Sequence, residues 1–289
     1  MPRLLTLRKA ILVTERVVIK ELLYRRIFMI RLIASDQDGT LLQNGAQELT
    51  PRAVKLIREL TQKGIHFVAA SGRQYANELY LFDAIKDDIS YIAENGSLCV
   101  HQGKTISREV IPDALVRRIL DEIKKRPELG IVVSCEDTCY IEGDDPGFVH
   151  HIISEMHNTT KIVDDVRNVK APVLKIAIAN MTSGNSDEYL KYLQDLFSGE
   201  IKVVTSGHVW IDFISPDCNK GTALKKFMEL FGVKPDECAV FGDQYNDVEM
   251  LELAGKSYAM ANAAPGIAEH AAFVTDSVED VFEEILASL

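Results

Sequence analysis

Tryptophan is almost absent from this chain, with one in 289 residues. Cysteine is sparse and odd in number, five residues with no spacing that suits zinc. Cys135 and Cys139 fall in one apolar stretch that reads as strand and turn. On an unbroken strand they would stand about 13 Å apart, beyond disulfide reach. All five therefore read as reduced, mostly buried residues of a cytoplasmic protein. No charge-free apolar run approaches the ~20 residues of a membrane helix, so no stable membrane association is expected. Basic residues are the minority, 32 Lys and Arg against 43 Asp and Glu, for a net charge of −11. That balance argues against nucleic acid as a partner and against an acidic membrane surface. An acidic protein that handles an anionic ligand needs a local cation, either a metal ion or a few placed Lys and Arg.

What is present is an ordinary globular composition, 47% apolar and 26% charged. The length suits one large domain or two smaller ones. Residues 1–28 stand apart: they carry seven Lys and Arg against two Asp and Glu, leaving 25 against 41 in the rest. Such a basic segment is a targeting or surface-binding helix, or else a loose extension with no native role. An apolar strand begins directly after Met29, so the extension is the expected reading and the folded part is expected to start there.

That strand, Ile30-Arg31-Leu32-Ile33-Ala34-Ser35, has the apolar character of a buried parallel strand and ends in Asp36-Gln37-Asp38-Gly39-Thr40. Two carboxylates at a strand's carboxyl end lie where open α/β sheets build their sites, and they suit a hard cation such as Mg²⁺. By itself the stretch fits a hairpin with an Asp-Gly tip equally well. Thr50-Pro51 then marks a helix start, Gly64 a helix stop, and a second apolar strand runs into Ser71-Gly72-Arg73. A hydroxyl and a glycine amide at a helix start form a phosphate cradle, or simply an N-cap. A third strand ends in Glu94-Asn95-Gly96, and Gln102-Gly103 marks a hairpin.

From about residue 109 to 210, helices and strands alternate with no acid-rich strand end. This block reads as a second α/β domain inserted in the first. His150, His151 and His157 lie on an expected helix over 146–157 with no clear facing carboxylate, which argues against a metal site. Trp210 reads as core packing. The first domain resumes with Ser215-Pro216-Asp217-Cys218-Asn219-Lys220-Gly221, where a lysine at a helix start runs against the helix dipole. It can neutralise a phosphate or orient a carboxylate. A last buried strand ends in Gly242-Asp243-Gln244-Tyr245-Asn246-Asp247, a second paired-acid strand end.

Taken in order, Asp36-Gln37-Asp38-Gly39-Thr40, Ser71-Gly72-Arg73, Lys220 and Gly242-Asp243-Gln244-Tyr245-Asn246-Asp247 resemble the four motifs of the haloacid dehalogenase-like phosphatases. The closest likeness is to the Cof-type hydrolases, which carry an α/β cap between the second and third motifs. The resemblance runs from about Met29 to the C-terminus. It implies a Rossmann-like parallel-sheet core over 29–108 and 211–289, with an inserted cap over 109–210. It also implies a Mg²⁺-dependent phosphatase acting through an aspartyl-phosphate. Asp36 would be the nucleophile and Asp38 the general acid and base. Thr40, Ser71, Gly72, Lys220 and Asn246 would surround the phosphate. Asp36, Asp38 (through its backbone carbonyl), Asp243 and Asp247 would serve the metal, Asp247 through water while orienting Lys220. Arg73, Glu94 and Asn95 would contact a small phosphorylated metabolite, in first place a sugar phosphate. Gln37 stands where an apolar residue is usual, and Asp217, Ala261 and Ala268 also depart from the pattern. A phosphomutase, a nucleotide or cofactor phosphatase (pyridoxal phosphate, for instance) and a non-catalytic phosphate-binding regulator share these motifs. Monomer and dimer are both compatible with the sequence.

Overall fold

A computed structural model describes residues 30–180, 186–206 and 209–289. The extension expected over residues 1–28 lies outside the described residues. Among those described, no helix is long and apolar enough to cross a membrane.

The chain opens with β1 (Leu32–Ser35), β2 (His66–Ala70), β3 (Ser90–Ala93), β4 (Leu98–His101) and β5 (Lys104–Arg108). A second group follows: β6 (Gly130–Cys135), β7 (Cys139–Glu142), β8 (Thr160–Val163), β9 (Val173–Ala179), β10 (Lys202–Ser206) and β11 (Trp210–Ile214). The last three are β12 (Cys238–Gly242), β13 (Lys256–Met260) and β14 (Phe273–Thr275). They form an eight-stranded sheet in the order β14-β13-β12-β1-β2-β3-β4-β5 and a six-stranded sheet in the order β10-β11-β9-β6-β7-β8.

In the large sheet, β1 pairs in parallel with both β12 and β2. From β1 the chain order runs outward in both directions, so the sheet reverses its winding between β1 and β12. In an open parallel sheet that reversal leaves a crevice at the carboxyl ends, where ligands bind. The central strands β1 and β12 are apolar because both faces are covered, whereas the edge strands β5 and β14 are largely exposed. Ile33 and Phe67 pack towards the helices Pro51–Gln62 and Val278–Ala287, while Leu32 and Ala34 pack towards Lys220–Phe231 and Val248–Leu253. Thr50 caps the first of these helices by accepting the Ala53 N–H, with Pro51 in the first turn, as the sequence suggests.

The small sheet is mostly antiparallel, with one parallel pair, β7 and β8. Its two faces differ. Ile131, Val133, Ile176, Ile178, Ile211 and Phe213 pack in one core with the helices Asp113–Ile123 and Asp187–Leu196. The alternate residues point the other way, towards the crevice of the large sheet. Residue 211, the expected return point to the first domain, falls inside β11. That strand is held in the small sheet by antiparallel pairing with β9 and β10, so the large sheet resumes only after Ile214. The single helix expected over 146–157 is two pieces, a short helix Pro146–His150 and a π-turn His151–Glu155.

Candidate active site

Asp36 leaves the end of β1 beside β12, its N–H donating to Phe241 O at 3.0 Å. Asp243 leaves the end of β12 next door, and Gly39 makes their approach possible. Its φ is +88°, and a Cβ there would lie 2.3 Å from Asp243 Oδ2. Gly242 has a similar duty, since a Cβ on it would lie 2.6 Å from the Asp247 Cβ. Oxygens of Asp36, Asp243 and Asp247 gather within 4.8 Å of one another, and all three residues are buried.

One ammonium lies among them. Lys220, 0% exposed, donates to Asp36 Oδ1 at 2.5 Å and to Asp247 Oδ1 at 2.6 Å. It occupies the first turn of the helix Lys220–Phe231, capped by Asn219. Gly221 lets that helix lie close to Glu249, where a Cβ would come within 2.6 Å of backbone. The dipole mismatch noted in the sequence is thus offset by two carboxylates. Burial opposes the charge on Lys220, but Asp247 and Asp36 outweigh it and raise the pKa of the ammonium above its ordinary value. Burial also raises the Asp36 pKa well above the carboxylate range; Lys220 lowers it, and Asp247, Asp243 and Asp38 add to the rise. Asp243 is raised by the same burial and by Asp247.

Asp247 is the most committed of the three acids. Its Oδ2 accepts the N–H groups of Asp243 and Gln244 at 2.9 and 3.0 Å, while Oδ1 holds Lys220. Thr40 Oγ1 donates to Asp243 Oδ1 at 3.0 Å, and Gln244 Nε2 donates to Asp243 Oδ2 at 3.1 Å. Asp36 Oδ2, by contrast, is buried and has no hydrogen-bond partner among the described residues.

Asp38 turns outward. Arg73 Nε and Nη2 donate to its two oxygens at 2.8 and 2.6 Å, a bidentate clamp, while Arg73 Nη1 donates to Asn77 Oδ1 at 2.8 Å. Ser71, buried at the end of β2, accepts the Arg73 N–H at 3.1 Å. Glu94 and Asn95 follow β3 in left-handed conformations, φ 52° and 58°. Asn95 Nδ2 donates to Asp212 Oδ2 at 2.6 Å, and Asn246 Nδ2 donates to Asn95 Oδ1 at 3.0 Å.

These residues bound a cavity of ≈ 510 Å³ between the two sheets. Asp36, Asp38, Ser71, Gly72, Arg73, Glu94, Asp243 and Asn246 line it; Thr40, Lys220, Asn95 and Asp247 stand behind that wall. The opposite wall is the crevice-facing side of the small sheet: Val132, Ser134, Lys175, Ala177, Trp210 and Asp212. The π-turn adds His151 and Ile152, with Met156 just beyond. Trp210, read from the sequence as core packing, is only partly buried and lies on this wall beside Phe148 and His151. His151 and His150 do face a carboxylate, Glu155, contrary to the sequence reading; His151 and Glu155 are four apart, a spacing that meets on one helix face. The second block therefore brings its own groups to the cavity, residues that the periodicity of the sequence does not single out. Lys175 and Asp212 carried one legible signal, a lone charge in an otherwise apolar strand.

A family model of haloacid dehalogenase-like hydrolases matches residues 33–285. The chain belongs to that family. It is 28% identical over 262 residues to the Escherichia coli protein named 5-amino-6-(5-phospho-D-ribitylamino)uracil phosphatase YbjI, covering 89% of this chain and 96% of that one. It is also 28% identical over 244 residues to the HMP-PP phosphatase of Citrobacter koseri, covering 82% of this chain and 86% of that one. A Eubacterium rectale crystal structure superposes with a TM-score of 0.77 at 27% identity, covering 89% of this chain and 99% of that one. This haloacid dehalogenase-like hydrolase is a phosphatase.

Proposed function

We propose that this phosphatase hydrolyses the phosphate ester of a small metabolite through an aspartyl-phosphate on Asp36, with Mg²⁺ as cofactor. The observation that carries the reading is Asp36 itself: it lines the cavity, one oxygen is fixed by Lys220, and the other is buried and unpartnered among the described residues. A carboxylate held in one orientation with one free oxygen is a poised nucleophile. Its Oδ2 bonds to phosphorus as the ester P–O bond breaks, and Asp38, once Arg73 has left it for the substrate and it has taken up a proton, gives that proton to the departing oxygen. Asp38 then takes a proton from the water that cleaves the acyl-phosphate. Ser71 and the Gly72 backbone bound the phosphate pocket, and Lys220 holds Asp36 in line.

The donor set fits a hard divalent ion. Three buried carboxylates stand around one ammonium, which reaches only Asp36 and Asp247, and the close approach of Asp243 depends on Gly39 having no Cβ. Asp36 and Asp243 would hold Mg²⁺; Asp247, with both oxygens engaged, orients Lys220 and the β12 loop. Bound there, the ion would shield the phosphate charge from the anionic nucleophile. Residues 109–214 act as a cap that covers the site and excludes water, while Arg73, Glu94 and Asn95 meet the substrate.

The named substrates of the two relatives, a phospho-ribitylaminouracil and HMP-PP, support a small phosphorylated metabolite. Within that class a sugar or polyol phosphate is the first candidate. The test is phosphate release across a panel of metabolite phosphates, with Mg²⁺ and with chelator, for the wild type and Asp36→Asn. Metal-dependent release abolished in the variant is expected; release that survives in the variant refutes the mechanism.

A further inference from the structure

A buried ionic cluster at the cavity joins its two walls and so the two sheets. Lys175, from β9, is 6% exposed and Glu94, from the end of β3, is 1% exposed. Lys175 Nζ stands 2.7 Å from Glu94 Oε2 and 3.8 Å from Asp212 Oδ2, and it donates to Gly72 O at 2.5 Å. Burial works against the lysine's charge, and Asp212 and Glu94 outweigh it. The ammonium thus bridges the covering sheet to the loop that cradles the phosphate.

Glu94 is the incomplete member. Its Oε1 accepts no hydrogen bond among the described residues, although the side chain is buried and lines the cavity. An unpaired buried carboxylate oxygen is costly, so it is tolerated where a ligand completes it. The backbone carries a second cost. Glu94 has φ 52°, where a residue with a Cβ pays about 1–2 kcal/mol. Asn95 (φ 58°) and Gly96 (φ 97°) continue the left-handed run with residue types that adopt it more readily. Strain of this kind clusters where a side chain must be aimed.

We propose that Glu94, set by Lys175, is a specificity determinant that accepts a hydrogen bond from an O–H or N–H on the leaving group of the substrate. The proposal rests on the phosphatase reading and deepens it: the preferred ester carries a hydroxyl or amine close to its phosphate. The covering wall mixes apolar Val132, Ile152, Met156, Ala177 and Trp210 with polar Ser134, His151 and Asp212.

The test compares two esters of equal chain length, ribitol phosphate and pentyl phosphate, for the wild type and for Glu94→Gly. Glycine suits the left-handed backbone at this position, and a melting curve checks that the variant is folded. The expected wild-type preference in kcat/KM is about tenfold to a hundredfold for ribitol phosphate, the range for one hydrogen bond to a charged group. In Glu94→Gly the ratio should fall to within about threefold of unity. Equal rates for the two esters in the wild type overturn the proposal and leave the phosphatase reading intact, as does a preference that survives in folded Glu94→Gly. If neither ester is turned over, Kd values for the same pair, read by calorimetry on the wild type and the variant, decide the matter. A preference for ribitol phosphate in Kd that is lost in folded Glu94→Gly upholds the role of Glu94; equal Kd values in the wild type, or a preference that survives in the variant, overturn it.

Discussion

Lys220 Nζ lies 2.5 Å from Asp36 Oδ1, and Asp36 Oδ2 is left without a hydrogen bond among the described residues. One oxygen of the proposed nucleophile is thereby fixed and the other presented. The same ammonium reaches Asp247, whose second oxygen ties down the loop after β12.

Lys220→Met keeps the length of the stem and removes the charge. Asp36, Asp243 and Asp247 then face one another with no cation, and breaking a buried pair in this way costs about 3–5 kcal/mol. Denaturant unfolding at neutral pH in the presence of chelator should show that loss, and kcat should fall at least about a hundredfold. Acidification should recover part of the stability, because protonated carboxyls no longer repel. A loss below about 1 kcal/mol would mean that the ammonium is not what holds the cluster.

Glu78 provides a pH dependence. It is fully buried, Gln37 Nε2 donates to its Oε1 at 2.5 Å, and burial raises its pKa well above the usual carboxyl range. A group whose folded pKa lies above its unfolded value contributes stability below the unfolded pKa and loses it as pH rises through the folded one. Glu78→Gln removes the proton altogether. Its melting temperature should therefore gain on the wild type as pH rises from about 5 to about 9. A constant difference across that range would contradict a protonated Glu78.

Gly39→Ala tests the fit of the proposed metal site. The added methyl meets Asp243 Oδ2 and the backbone sits at φ +88°, so Asp243 must shift. The backbone cost is about 1–2 kcal/mol. The larger effect should be on the metal: half-saturation of activity should need at least about tenfold more Mg²⁺. An unchanged Mg²⁺ requirement would remove Asp243 from the proposed ligand set.

The core of the site was legible because its parts are local. An apolar strand that ends in Asp36-Gln37-Asp38-Gly39 has only one end at which to place them, and strand order then brings Asp243 alongside. The facing wall was not legible, because it depends on pairing between distant strands. Lys175 and Asp212 reach the cavity through the register of β9 with β11, where Ile214 lies opposite Lys175 and Asp212 opposite Ala177. Trp210-Ile211-Asp212-Phe213-Ile214 alternates in a way that suits either sheet, so residue 211 could pass for the start of the core. The clamp of Arg73 on Asp38 joins two turns that are neighbours only after β1 and β2 have paired.

The most direct test of the central claim is a rapid acid quench of a single turnover with a phosphate ester carrying a radiolabelled phosphoryl group. Label should appear transiently on the protein, map to the peptide containing Asp36, and be missing in Asp36→Asn. Product formed at full rate with no protein-bound label at any time, or label on another residue, would contradict an aspartyl-phosphate at Asp36.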